Sequence, residues 1–201
     1  MKLFVCAVLF CVAAPAVSLA QDAAIVARLT KTSLTQCRRA QNSYELDFEG
    51  TFEIENTSNE TILIAKSVDV VLSVTAASSQ EQLKGKKYSF VTNQVFGGKS
   101  RLPPRLEDLV AIKPGQKASV QIGVVLPATI DSKERERLQP GQHWLEMEFS
   151  ALPFSLWSLG RSDFDSWQRK WRSRGLLLKE YFLTEPFPLD VIPNTQALRC
   201  E

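Results

Sequence analysis

Strict alternation of apolar and polar residues sets in at Tyr44. Tyr44, Leu46, Phe48, Phe52 and Ile54 alternate with Glu45, Asp47, Glu49, Glu53 and Glu55, a period of two that predicts a half-buried strand with its acids in water. Gly50 interrupts the row and predicts a bulge or bend. Asn56 to Glu60 reads as a turn, and Thr61 to Ala65 with Val68 to Thr75, rich in β-branched residues, as one or two further strands. Residues 76–87 are small and polar and predict a solvated connection. A strand from Tyr88 to Phe96 follows, then a long loop at GGKSRLPPR (97–105) and a short apolar run from Leu109 to Ile112. Upstream, residues 22–42 carry only a weak Ile25, Val26, Leu29 cluster and predict a short helix or an irregular lead-in.

Two segments then repeat one solution. IKPGQKASVQIGVVLP (112–127) and LQPGQHWLEMEFSALP (138–153) share Pro-Gly-Gln and Leu-Pro at the same spacing. Each predicts a Pro-Gly turn feeding a strand that a proline closes. Because the shared residues are mostly turn formers, a recurring local device explains them better than a duplication. His143 falls on the same side of its strand as Leu145, Met147 and Phe149, the inner face, where a backbone-bonded corner histidine is expected rather than a catalytic base.

The pattern changes at Phe154. FSLWSLGRSDFDSWQRKWRSRG (154–175) holds three of the four tryptophans, Trp157, Trp167 and Trp171, among Arg161, Arg169, Lys170, Arg172 and Arg174. A helix is predicted with Ser162 as N-cap, Asp165 as its capping-box partner, and Gly175 as the stop. At helical spacing Phe164, Trp167 and Trp171 share one face, so an aromatic stripe flanked by cations results. That stripe either packs on the strands as a covering helix or protrudes as a contact surface, since Trp and Arg are the residue types enriched at binding hot spots. The reading favours packing for Trp167 and Trp171 with the arginines exposed. An interfacial membrane helix is disfavoured by its shortness, and single-stranded nucleic acid by an exported address.

Composition narrows the classes. The 201 residues are 44% hydrophobic and 23% charged, with net charge +2, an ordinary globular balance for about one domain that calls for no nucleic-acid partner. One histidine leaves little for a triad or metal centre, and no Gly-x-Ser-x-Gly elbow occurs. GGKS at 97–100 lacks the earlier glycine of a phosphate-binding loop. Asp163, Asp165 and Glu146 have no spacing that implies glycosidase carboxylates. The basic run KGKKYS (84–89) with Lys99, Arg101 and Arg105 reads as solvated loop before it reads as an anion site. Asn56-Thr57-Ser58 and Asn59-Glu60-Thr61 are glycosylation sequons lying in a turn.

The first twenty residues have a basic start at Lys2, an apolar run from Leu3 to Val12, and small residues at Ser18 and Ala20. They predict a secretory signal peptide cut after Ala20. Its removal takes Cys6 and Cys11 and leaves Cys37 and Cys200, a pair that an oxidising compartment favours as a disulfide, with free or intermolecular thiols as the alternative.

Strand spacing, the IEN run (54–56) before a polar turn, and the two Pro-Gly-Gln units resemble secreted bacterial domains of the immunoglobulin or fibronectin type III kind. The resemblance covers residues 43–153 and, more loosely, to 192. Leu138, Pro140 and Gly141 stand as they do before the penultimate strand of such domains, with His143 where a tyrosine is usual. It implies an all-β, antiparallel two-sheet immunoglobulin-like sandwich over residues 43–201, with one short helical insert (154–175) before the last strand and a lead-in at 21–42. The expected function is an exported, non-enzymatic binding module, secreted or periplasmic, without cofactor, metal or nucleic acid. Its partner is expected to be a protein or cell-envelope component, with no integral membrane segment after cleavage. The candidate contact residues are Trp157, Arg161, Phe164, Trp167, Arg169, Trp171 and Arg172. A protease inhibitor working through Phe96 to Arg105, and a carbohydrate hydrolase, are the alternatives.

Overall fold

The computed structural model of the protein describes residues 25–93, 105–131, 137–192 and 197–200. In chain order the strands are β1 (Ile25–Ala40), β2 (Ser43–Asn56), β3 (Ile62–Ala65), β4 (Ser67–Val68), β5 (Val71–Ala77) and β6 (Phe90–Asn93). There follow β7 (Leu109–Ile112), β8 (Lys117–Thr129), β9 (Gly141–Ser150), β10 (Leu176–Leu177), β11 (Tyr181–Leu183) and β12 (Phe187–Val191). Among the described residues three short α-helices intervene, α1 (Gln80–Lys84), α2 (Phe154–Trp157) and α3 (Arg161–Trp171), with a 3-10 turn at Leu106–Asp108.

The chain is mostly β, its described strands forming three sheets. The first runs β1-β2-β8-β4, the second β10-β3-β7, and the third β11-β9-β5-β6 with β12 also on β9. Most pairs are antiparallel, but β10 with β3 and β4 with β8 are parallel. The segment expected as a lead-in is the long edge strand β1, paired with β2 along nearly its whole length. Its residues 30–35 are exposed, so this edge lacks the apolar alternation that would have announced it. The expected solvated connection contains α1, capped by the Ser79 side chain and anchored by buried Leu83.

Alternation in β2 is unbroken. Tyr44, Leu46, Phe48, Gly50, Phe52, Ile54 and Asn56 all point inward, and the register with β8 passes through Gly50 opposite Ile122 without a shift. The expected bulge lies across the ladder instead, at Thr30 of β1, which the register skips between Leu29 and Lys31. Gly50 is there for room. A Cβ at that position would sit 2.5 Å from the Phe52 ring and 2.9 Å from the Phe48 ring. Gly50→Ala is therefore expected to cost about 1 to 3 kcal/mol, as overpacked core positions do, read as a lower urea midpoint at unchanged slope.

Above that glycine, Phe187 of β12 stacks on Phe48 at 5.6 Å and meets Phe52 edge-on at 5.7 Å. Side chains of the first and third sheets thus fill one core, to which Val120, Ile122, Val124 and Leu126 of β8 and Leu145, Met147 and Phe149 of β9 also belong. A second, smaller core gathers Leu63, Leu109 and Leu177 of the second sheet under Leu152, Leu156 and Trp171.

The two motifs that carry the resemblance meet. Lys113 to Gln116 form a turn, Gln116 N donating to Lys113 O at 3.0 Å, with Gly115 at φ +68° after Pro114, the positions a type II turn assigns to proline and glycine. Gly115 N donates to Asn56 O and Asn56 N to Gln116 O. The fully buried Asn56 amide donates to Glu60 O and Ile112 O, both at 2.8 Å, and its oxygen accepts from Ser58 N and Oγ. Asn56 is thus a turn organiser, with both amide hydrogens committed inside the fold. Asn59 is exposed.

Pro127 lies inside β8, which continues to Thr129, whereas a proline was expected to close it. Leu138 N donates to Pro127 O and Thr129 N to Leu138 O, so the ring nitrogen faces the side away from β2. No ladder donor is missing there. Pro153 does end its unit, as N-cap residue of α2.

After α3 come three short strands, where one was expected. β11 and β12 lie on the same edge of β9, and Thr184 bridges the interval: its N–H donates to Met147 O and its Oγ1 accepts from Met147 N. The chain there also touches the first sheet, Glu185 N donating to Ala27 O at 2.8 Å. Further on, Arg199 pairs with Arg38 of β1 in a parallel bridge, and Cys37 is disulfide-bonded to Cys200.

Candidate functional site

The insert consists of two helices. α2 begins at Phe154, whose N–H donates to Asp69 Oδ1 at 2.9 Å; burial pushes the Asp69 carboxyl up from its ordinary range, partly offset by that bond. α3 begins at Arg161 with Gly160 as N-cap residue and no side-chain cap. Ser162 is inside the helix, so the expected Ser162/Asp165 capping box does not form. Gly175 does end the segment. At φ +157° it approaches Thr61 O, and a Cβ would be 3.0 Å from that oxygen and from Leu63 Cγ, so glycine is required both by conformation and by contact.

Trp171 is 6% exposed and sits in the second core. Trp157, Phe164 and Trp167 are half-buried against it. The Trp167 and Trp171 rings are 4.8 Å apart, and Lys170 Nζ lies 4.2 Å over the Trp167 ring, a cation on a π face. Gln168 faces the same way, its Oε1 accepting from Leu177 N at 2.7 Å. The stripe therefore does two things at once: its C-terminal end is core, and its N-terminal end is rim.

The cations divide likewise. Arg172 donates to Glu60 Oε2 at 2.7 Å, tying the insert to the turn after β2 and holding the Glu60 carboxyl below its ordinary range. Arg161, Arg169 and Arg174 are exposed and make no ion pair among the described residues. Lys179 donates to Leu159 O and lies 5.1 Å over Phe164.

Other anticipated residues lie elsewhere. His143 is 9% exposed, with Nε2 2.7 Å from Gln139 O. Glu146 is on β9, its carboxyl raised by burial, whereas Asp163 and Asp165 are both on α3. Of the proposed inhibitory loop only Arg105 is described, paired with Glu107 at 2.8 Å and Asp108 at 3.2 Å. The signal sequence lies outside the described residues. No helix among the described residues is long and apolar enough to cross a membrane.

Cavities bordered by described residues lie away from the insert, two of them as follows. One, of about 230 Å³, is bordered by Lys31, Thr32, Ser33, Glu49, Thr51 and Gln121 on the outer face of the first sheet. The other, of about 320 Å³, is bordered by Arg38, Arg39, Ala40, Gln41 and Arg199. Neither the charge balance nor the motif spacing points to the second one. The signal was the pairing of two short runs, Cys-Arg-Arg at 37–39 and Arg-Cys at 199–200, which the disulfide brings together. Glu45 stands near both sulfurs, but each sulfur is bonded to the other, so the trio offers no metal ligand set.

No family model and no curated protein matches the chain. Among solved structures, a β-glucuronidase from glycoside hydrolase family 2 is similar at a TM-score of 0.30 and 12% identity, over 82% of this chain and 12% of that one. A likeness that distant carries no conclusion about fold or activity.

Proposed function

We propose that the protein is an exported, non-enzymatic binding module of immunoglobulin-like sandwich type, and that its insert is the contact surface. The sandwich reading is supported by the single core shared between the first and third sheets, and the exported address by the disulfide together with the signal-like start. One observation carries the binding reading. The insert is seated by Trp171, yet leaves Arg161, Arg169 and Arg174 exposed, without ion pairs among the described residues, beside the half-buried Trp157, Phe164 and Trp167. Aromatic rings already held in place, ringed by unpaired guanidinium groups, suit an acidic protein surface of the cell envelope.

Capture from envelope extract of the source cell tests this. The wild-type protein should retain a partner that raised salt releases, and a variant carrying Arg161→Glu, Arg169→Glu and Arg174→Glu should lose it while melting like the wild type. Undiminished capture by that variant overturns the assignment of the surface.

A further inference from the structure

We infer that the cavity between the β1–β2 turn and the chain end is an oxyanion site for a phosphate monoester group, assembled by the disulfide. It uses none of the insert residues. Arg38 and Arg199 are register partners in the parallel bridge, fixed by Arg38 N to Leu198 O at 2.8 Å and Cys200 N to Arg38 O at 3.1 Å. Like charges placed directly opposite each other destabilise a strand pair, and here the cystine next to both residues holds them in place. The register of β1 skips Arg39 between Arg38 and Ala40. That extra residue breaks the alternation of sides, and Arg39 joins Arg38 at the cavity instead of pointing away from it.

Glu45 accepts from Arg39 Nε at 2.7 Å, while Arg38 and Arg199 have no ion pair among the described residues. Among the described residues, three guanidinium groups stand against one carboxylate, two positive charges in excess. Guanidinium forks match the oxygens of a tetrahedral oxyanion. A phosphate monoester, at roughly −1.5 to −2 near neutral pH, balances that excess; a sulfate monoester or a carboxylate balances only half of it. A cavity of about 320 Å³ accommodates such a group. Either a free phosphate compound or a phosphomonoester lipid headgroup supplies the chemistry.

Calorimetry of the oxidised protein with methyl phosphate and methyl sulfate, and sedimentation with phosphatidylcholine vesicles containing or lacking phosphatidic acid, decide the matter. Methyl phosphate is expected to bind at least tenfold more tightly than methyl sulfate. Arg38→Gln or Arg199→Gln, both at exposed positions, should weaken it at least tenfold without moving the melting temperature, and so should reduction of the disulfide under conditions where the protein stays folded. Binding of phosphatidate vesicles alone, lost in the same variants, supports the site and assigns the headgroup as its source. Equal affinity for the two esters, arginine variants that bind like the wild type, or failure to bind either methyl phosphate or phosphatidate overturns the proposal.

Discussion

Opening the Cys37–Cys200 bond, by reduction or by Cys200→Ser, should lower the unfolding free energy by about 5 kcal/mol. The bond spans 163 residues, and the chain-entropy relation for a loop that long puts most of its effect in the unfolded state, whose freedom it restricts. For a chain of this size about 2 to 4 °C accompanies each kcal/mol, so the melting temperature should fall on the order of 10 to 20 °C. Far-ultraviolet circular dichroism well below the transition should stay unchanged, because β2, β8, β5 and β9 pair without help from residue 200. An unaltered melting temperature would show that the closed loop does not restrict the unfolded chain as supposed.

Trp171→Ala should cost about 3 to 5 kcal/mol, the usual penalty for truncating a buried aromatic. The second core is small, so little can collapse into the space: Leu63, Leu152, Leu156 and Leu177 would line the void. Trp167→Ala should cost distinctly less, since that ring is already half in water and loses mainly its contact with Trp171 and Lys170. Arg169→Ala should stay within about 0.5 kcal/mol, as exposed substitutions without partners do. Denaturant titrations of the three variants test the order. If Trp171→Ala and Trp167→Ala are equally mild, the insert is not seated by its C-terminal tryptophan and the division into core and rim fails.

Legibility in the sequence followed burial. β2, β8 and β9 are buried on one face and more open on the other, so their period of two was plain, and the Pro114-Gly115 turn lies where it was expected. β1 was missed because an edge strand with residues 30–35 exposed has no inward face to write into its sequence. The bulge was assigned to Gly50 because glycine is the residue bulges often use, whereas here its absent side chain makes room for Phe48 and Phe52. The insert was visible as a helix, since its aromatic spacing is strong, but its start was not: Ser162 offered a cap, and the contact of Phe154 N with Asp69, 85 residues away, is the kind of tertiary bond that local pattern does not record. The arginine cluster was unreadable for the same reason, Arg199 being brought to Arg38 and Arg39 only by the bridge and the disulfide.

The order in which the polypeptide is synthesised acquires meaning from the edge of β1. The β1–β2 hairpin is made before what covers its outer side, Thr184 and Glu185 at one end and Leu198 to Cys200 at the other. Until those later residues are made and docked, that strand offers bare backbone groups to any other chain, the circumstance in which strands pair wrongly. Thr30, Lys31, Thr32, Ser33 and Thr35 stand in this stretch where valine or isoleucine would pair more readily with a stranger. A sequence too polar to be recognised as a strand is, on this account, also one that keeps the waiting edge from being taken by a neighbour.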